Sequence, residues 1–480
     1  MTNETKYDII FVVPRYRAKD GFIWKAIEYR FQSPGVLSLA TYLNSRGFNT
    51  AILDCNLEQI SDDDFISVFN ERFGTSDYKY IGFSAATQTI NSAYILAEKI
   101  KSERSKVQIL FGGAHPSALP EDVLKNNFAD FVFLGEGELA IEKLLLGEEI
   151  ENIKGIAFKR NDEIINTGPC ERISDLDSLP INDYSLVPMK NCKPLVGTYR
   201  KLPATIMVTA RGCPGRCTFC SRVVGNKLSV MSPQRIFDEI KVLYYNYGFR
   251  QIIFYDDTFI STRNRIEEFC DLIINSDIKI SWTCSSRVDK VYPDLLVKMK
   301  MAGCHQIMYG VESFNAQVLK NINKKTQPED IHFAIKETQK AGIEARAAIM
   351  LGNPGDTIEI LEDNIKQLKK LNPDLIQVTI TTPIPGSQMF SEAMTHNQIL
   401  TYDWDKYEGS DQIVKHENIS FEELQKYYRK TYIKYYLRPS FIFRTLFKAN
   451  SFLKIKVLII GGFSIIPVIF SGLGKRKKRK

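Results

Sequence analysis

The stretch Thr205-Ile206-Met207-Val208-Thr209-Ala210-Arg211-Gly212-Cys213-Pro214-Gly215-Arg216-Cys217-Thr218-Phe219-Cys220 decides the fold. Its opening residues are apolar or β-branched and predict a strand over residues 205–209. The strand runs into a loop that holds Cys213, Cys217 and Cys220, with Pro214 and Gly215 to shape the turn. Downstream, strand-like runs recur at 251–255, 279–284, 306–309, 345–350 and 375–380, with helix-like segments between them. Six βα units in series predict an open, partial (β/α)6 form of the TIM barrel. Barrel chemistry sits at strand C-terminal ends, which is where the cysteine loop falls.

Upstream, strand candidates at 7–13, 50–54, 80–84, 107–111 and 130–134 alternate with helix candidates at 36–46, 63–73, 91–101 and 138–146. The alternation predicts a doubly wound, Rossmann-like parallel sheet, so the whole chain reads as α/β. At the strand ends stand Pro14-Arg15, Asp54, Ser84 to Thr87, Gly112-Gly113-Ala114-His115 and Gly135-Glu136-Gly137. Open α/β sheets bind ligands at that edge. Residues 151–204 lose the alternation, carry Pro169, Pro180, Pro188, Pro194 and Pro203, and place a hairpin around Asn161-Asp162. The expected division is a front domain over 1–150, a linker over 151–204, a barrel over 205–410 and a helical C-terminal region over 411–480.

Three thiols spaced three and two residues apart suit a cluster corner. Three thiolates leave one iron of a 4Fe-4S cube open to a chelating ligand such as S-adenosyl-L-methionine (SAM). The rival readings are a zinc site short of a fourth ligand and unrelated buried thiols. The polar Met1 to Lys6 offers no secretory leader, so the nine cysteines are expected in a reducing cytoplasm, where clustered thiols bind metal or act catalytically. Six of the formal +7 charges lie in Lys475 to Lys480, leaving a near-neutral body that excludes a nucleic-acid-coating surface.

The CxxxCxxC loop after the first barrel strand resembles that of the radical SAM superfamily, over about residues 200–410. The resemblance implies an enzyme that reductively cleaves SAM to a 5′-deoxyadenosyl radical at a cluster held by Cys213, Cys217 and Cys220. It implies that Phe219 lies near the adenine. The segment after the second strand, which usually binds the SAM amine, reads Tyr255-Asp256-Asp257-Thr258 rather than Gly-Gly-Glu. Asp256 and Asp257 are its acidic groups for an ammonium. Ser285, Arg287 (for the SAM carboxylate), Glu312 (for ribose hydroxyls), Met350 and Gly352 complete the implied SAM contacts.

Ser33-Pro34-Gly35-Val36, Asp54, Gly82-Phe83-Ser84, Gly112-Gly113-Ala114-His115-Pro116 and Gly135-Glu136-Gly137-Glu138 resemble the cobalamin-binding domain found ahead of many such barrels. Implied cobalamin contacts are Asp54, Ser84, Thr87, Gly112, Gly113, His115, Gly135, Glu136 and Gly137. A dinucleotide domain is the rival, but no GxGxxG follows the first strand. The Asp-x-His-x-x-Gly motif that brings a lower axial His is absent, so a cobalt without a His ligand from this loop is expected.

These resemblances imply methyl transfer to an unactivated carbon of a small molecule, with radical ring closure as the alternative. A non-enzymatic cobalamin or electron carrier is the rival from another class, weakened by the open iron. An electron donor such as flavodoxin or ferredoxin is the implied protein partner. The uncharged run 457–474 and its basic end read as an interfacial anchor on the cytoplasmic face of the membrane, or as a folded terminal segment. Membrane contact would favour an apolar substrate such as a lipid, isoprenoid or porphyrin.

Overall fold

The computed structural model describes residues 5–16 and 29–448. Five strands, β1 (Lys6–Val13), β2 (Thr50–Asp54), β3 (Asp77–Ser84), β4 (Gln108–Gly112) and β5 (Phe131–Phe133), pair in parallel in the order β2-β1-β3-β4-β5. Strands buried on both faces must be apolar throughout, and alternate residues serve opposite faces. Ile9 and Phe11 of β1 enter one core, Ile10 and Val12 the other. The helices Pro34–Ser45 and Glu138–Leu145 cover the first face; Phe65–Phe73 and Ile90–Glu103 cover the second. The strand order reverses between β1 and β3, and such a switch point opens a crevice at the C-terminal ends.

The hairpin expected around Asn161-Asp162 is present, but it does not hang free in a linker. Strands β6 (Ile156–Arg160) and β7 (Glu163–Asn166) extend β5 antiparallel and complete a seven-stranded sheet. Asn161 and Asp162 take φ of 49° and 64°, the two left-handed positions of a two-residue hairpin turn.

Strand β8 (Ala204–Met207) opens the second sheet. It stops short of residue 209 because the next residues pair elsewhere: β9 (Ala210–Arg211) forms an antiparallel ladder with β10 (Ser229–Val230), closing the neck of the cysteine loop. Strands β11 (Gln251–Phe254), β12 (Ser281–Ser286), β13 (Cys304–Glu312), β14 (Glu344–Leu351) and β15 (Leu375–Ile380) follow β8 side by side, all parallel.

A six-stranded partial barrel leaves two edges whose backbone groups need partners. At β8 the front domain supplies Gln32, whose Nε2 donates to Ile206 O at 3.1 Å while its Oε1 accepts from Thr205 Oγ1 at 3.1 Å. At β15 the helix Phe421–Tyr436 supplies two tyrosines one turn apart. Val378 N donates to Tyr432 OH at 3.0 Å and Ile376 N to Tyr436 OH at 2.9 Å. No helix among the described residues is long and apolar enough to cross a membrane, and the run 457–474 lies outside them.

Candidate active site and shared cavity

Gly212 makes the neck of the cysteine loop possible. Its φ is 82°, and a Cβ there would stand 2.1 Å from Lys227 O. Beyond it Cys217 is buried, while Cys213 and Cys220 are half-buried, and all three are free thiols. Burial, then the charge of Asp257, then the other two sulfurs push the Cys220 thiol up to about 11. A thiol so placed becomes thiolate when a cation takes it. The three thiols stand on one loop, within eight residues of each other. A cube takes each of three thiolates on a different iron, so the donor type and number fit a 4Fe-4S cluster.

The adjacent carboxylates after β11 are not equivalent. Asp256 turns into the core, where Thr209 N (2.6 Å), Thr209 Oγ1 (2.5 Å) and Ala210 N (3.1 Å) all donate to it. Arg265 backs this arrangement, donating through Nη2 to Thr209 O at 3.0 Å and through Nε to Met231 O at 2.9 Å. The buried Asp256 carboxylate, with three donors on it, therefore anchors the cysteine loop. Asp257 faces the cavity, and burial holds its carboxyl above the usual range.

Around the buried sulfur, Arg287 places Nη1 4.0 Å from Cys217 Sγ. Asp289 accepts from its Nε and Nη2 at 2.8 and 3.1 Å, and Lys324 O from its Nη2 at 2.9 Å. Lys324, next in sequence to the exposed Lys325, is buried. Its Nζ lies 2.8 Å from Glu312 Oε1 and 5.8 Å from the Phe219 ring centroid. Glu312 sits at φ 63°, a strained value for a non-glycine residue. Ser285 is half-buried at the end of β12, its carbonyl accepting from Phe259 N at 2.9 Å. Met350 is buried, and neither it nor Gly352 is among the residues lining the cavities of about 320 and 250 Å³. Gly352 (φ 86°) instead admits His416, whose Nδ1 lies 3.0 Å from its carbonyl; a Cβ would come within 2.9 Å of that ring.

The front sheet's C-terminal edge and the cysteine loop enclose one cavity of about 320 Å³. Ser84, Gly112, Gly113, Gly135, Glu136 and Gly137 line it from the front; Arg211, Gly212, Tyr255 and Asp257 line it from the barrel. A Cβ at Gly35 would meet nothing within 4 Å, and one at Gly112 a single atom at 4.0 Å, so missing side chains keep the space open. Across the domain boundary Arg211 Nη2 holds Glu138 Oε1 at 2.6 Å, and its Nη1 lies 3.7 Å from Glu136 Oε2. Glu136 Oε2 also accepts from Ile173 N at 2.7 Å, while the buried Oε1 has no partner. A corrin's amide side chains are donors of the kind that oxygen lacks, and flat approach to glycine backbone suits the ring, so these residues fit a cobalamin.

Three residues expected at the cobalamin are elsewhere. Asp54 is buried beneath the edge, accepting from Leu57 N at 2.8 Å as a helix cap. His115 is fully enclosed, with Nδ1 3.3 Å from the buried Thr87 Oγ1, Nε2 3.4 Å from Asp122 Oδ2, and its ring against Trp404. A His beside paired glycines reads as a pocket group, but here the glycines face the cavity and the ring faces the core. None of the five histidines lines the cavity.

A glycine-edged doubly wound sheet that shares a cavity with a three-cysteine loop on a partial barrel defines a class: radical-generating iron–sulfur enzymes with a corrinoid-type front domain. The family models agree, with "Radical SAM superfamily" matching residues 207–368 and "B12 binding domain" residues 22–145. The chain is 34% identical over 384 residues to an uncharacterized methyltransferase of Pyrococcus horikoshii, covering 78% of this chain and 83% of that one. It belongs to the B12-binding radical SAM family, whose cofactors are a 4Fe-4S cluster, SAM and cobalamin.

It is also 26% identical over 451 residues to the anaerobic magnesium-protoporphyrin IX monomethyl ester cyclase of Rubrivivax gelatinosus, covering 90% of this chain and 78% of that one. Among solved structures, the cobalamin-dependent SAM radical enzyme OxsB superposes with a TM-score of 0.74 at 17% identity, over 98% of this chain and 72% of that one. The radical SAM methyltransferase TsrM from Kitasatospora setae superposes with a TM-score of 0.64 at 15% identity, over 81% and 77%. These two likenesses concern the fold.

Proposed function

We propose that this chain transfers a methyl group to an unactivated carbon of a small, apolar substrate. The observation that carries the reading is the single cavity walled by the glycine edge on one side and by Tyr255, Asp257 and the neck of the cysteine loop on the other. Residues that would hold a corrin and residues at the neck of the cluster-binding loop thus face one space. When bound, the cluster and SAM supply the hydrogen-abstracting radical and cobalamin supplies a methyl carrier.

The chain's own residues bind and orient. Cys213, Cys217 and Cys220 hold the cluster, and Asp256 with Arg265 fixes the loop that presents them. Asp257 is the acceptor for the SAM ammonium. Arg287 donates an N–H toward the Cys217 sulfur; hydrogen bonds to sulfur tune a cluster's potential. The buried Glu312–Lys324 pair sets a cation beside the Phe219 ring. Gly112, Gly113, Gly135 and Gly137 admit the corrin edge, and Glu136 Oε1 accepts from one of its amides. Residues 1–150 with the added hairpin form the cobalamin-binding unit, and 205–410 the radical unit.

Ring closure is the second reading, favoured by the cyclase likeness that runs through 90% of the chain. A porphyrin-like substrate is consistent with both, since bacteriochlorophyllide d C-8(2)-methyltransferase of Chlorobaculum tepidum is also similar, at 25% identity over 397 residues. Anaerobically reconstituted protein given SAM, cobalamin, substrate candidates and a strong reductant separates the two. Methyl transfer yields 5′-deoxyadenosine and S-adenosylhomocysteine together; ring closure yields 5′-deoxyadenosine without S-adenosylhomocysteine. Neither product in any incubation refutes both.

A further inference from the structure

A second cavity, of about 250 Å³, shares no residue with the first. Its floor is Pro214, Gly215 and Arg216, the three residues between the first two cysteines, and its rim carries Lys290, Asn323 and Lys325. The floor is thin: a Cβ at Gly215 would lie only 3.3 Å from Cys213 Sγ, so a single glycine separates the groove from a cysteine sulfur. The rim is held in place at some cost, since Asn323 and Lys325 both adopt left-handed φ, 51° and 54°. Asn323 Nδ2 also donates to Arg216 O at 2.7 Å, tying rim to floor.

The groove is strongly basic. Arg216, Arg287, Lys290, Lys324 and Lys325 line it against one carboxylate, Asp289, which Arg287 already engages through two nitrogens. Lys324 is spent on Glu312. Arg216, Lys290 and Lys325 have no carboxylate partner among the described residues, and Arg216 and Lys325 are exposed. Apart from its C-terminal six residues the chain is nearly neutral, so these three cations form a local field rather than part of a general positive surface.

We propose that this groove docks an acidic one-electron donor protein of the flavodoxin or ferredoxin kind; the proposal rests on the reading that the three cysteines hold a cluster. The donor loses one electron and the cluster gains one, with no bond made or broken and no proton moved. Complementary charge brings the donor's acidic face onto Arg216, Lys290 and Lys325, and the electron then passes Gly215 to reach the cluster edge.

The test is the Lys290→Glu/Lys325→Glu double variant, with Arg216→Glu as a second, both reconstituted anaerobically. Cluster reduction is followed by stopped-flow absorbance with fully reduced flavodoxin, and in a parallel arm with a small neutral reductant, photoreduced deazaflavin. Flavodoxin binding is measured separately by fluorescence anisotropy. At low ionic strength the variants are expected to be reduced by flavodoxin, and to bind it, on the order of tenfold more weakly than the parent. The difference should vanish at high salt and be absent with deazaflavin. Equal flavodoxin rates and affinities at low salt would overturn the proposal. Slowing in both arms would overturn it too, by making the lysines supports of the loop. A parent that neither reductant reduces would bring down the cluster reading and the groove with it.

Discussion

Replacing Arg211 by methionine keeps the aliphatic stem and removes the charge that joins the two domains. In the parent its guanidinium reaches Glu138 at 2.6 Å and Glu136 at 3.7 Å, with Ser38 Oγ a further acceptor at 3.1 Å. The arginine side chain is 16% exposed and the two glutamates 5% and 4%. Leaving a carboxylate buried without its cation costs about 3–5 kcal/mol. At the lower value, a domain of this size should melt roughly 6–12 °C below the parent at pH 8.

The deficit should depend on pH with a definite sign. Burial holds the Glu136 carboxyl above its usual range, and Arg211 is among the charges that pull it back. Without that cation the folded-state pKa rises further above the unfolded value. Stability is then retained where the group stays protonated and is lost as pH rises through the folded pKa. Differential scanning fluorimetry of the apo protein at pH 5 and pH 8 should show a small loss at the first and the full loss at the second. A variant that melts within about 2 °C of the parent at pH 8, or that loses more at pH 5, would refute the account of Arg211 as the clamp. Glu138→Gln in the same background should return part of the loss, because a neutral amide is cheaper to bury unpaired.

Two further outcomes can be checked on apo and loaded protein. Gly112→Val fills space that only one atom now borders, so the apo protein should melt near the parent while cobalamin binding, read from corrin absorbance after desalting, falls at least tenfold; normal corrin retention would place the ligand elsewhere. Burial raises the Asp54 carboxyl to about 7, so the parent should lose stability as pH rises through that value, and Asp54→Asn should flatten this part of the melting profile. An unchanged slope in the asparagine variant would assign the pH dependence to another group.

Much of the architecture was legible because buried parallel strands must be continuously apolar, and those runs stand out wherever glycine-rich ends interrupt them. The six barrel strands and the loop that follows the first of them were visible for that reason. What sequence could not tell apart was direction. Asp256 and Asp257 carry the same signal, yet adjacent residues leave a strand end on opposite sides, so one anchors the loop and the other faces the cavity. His115 failed in the same way, since its neighbouring glycines reach the cavity and its ring does not.

Lys324 was hidden in a charge run whose ordinary fate is solvent, and only the fold brings Glu312 to it. Arg211 carries no signal of its own in the sequence, because its partners lie some seventy residues upstream. One overlooked signal was present: Tyr428, Tyr432 and Tyr436 fall at four-residue spacing, the stripe of a helix face, and two of them cap the barrel's open edge.

The most direct measurement compares parent and Cys217→Ala protein, each reconstituted with iron and sulfide under strict anaerobiosis and then given SAM and dithionite. The parent should show the broad cluster absorption and release 5′-deoxyadenosine, and the variant should lose both. A variant that keeps a normal cluster spectrum and still cleaves SAM would contradict the assignment of that loop, and with it the function built upon it.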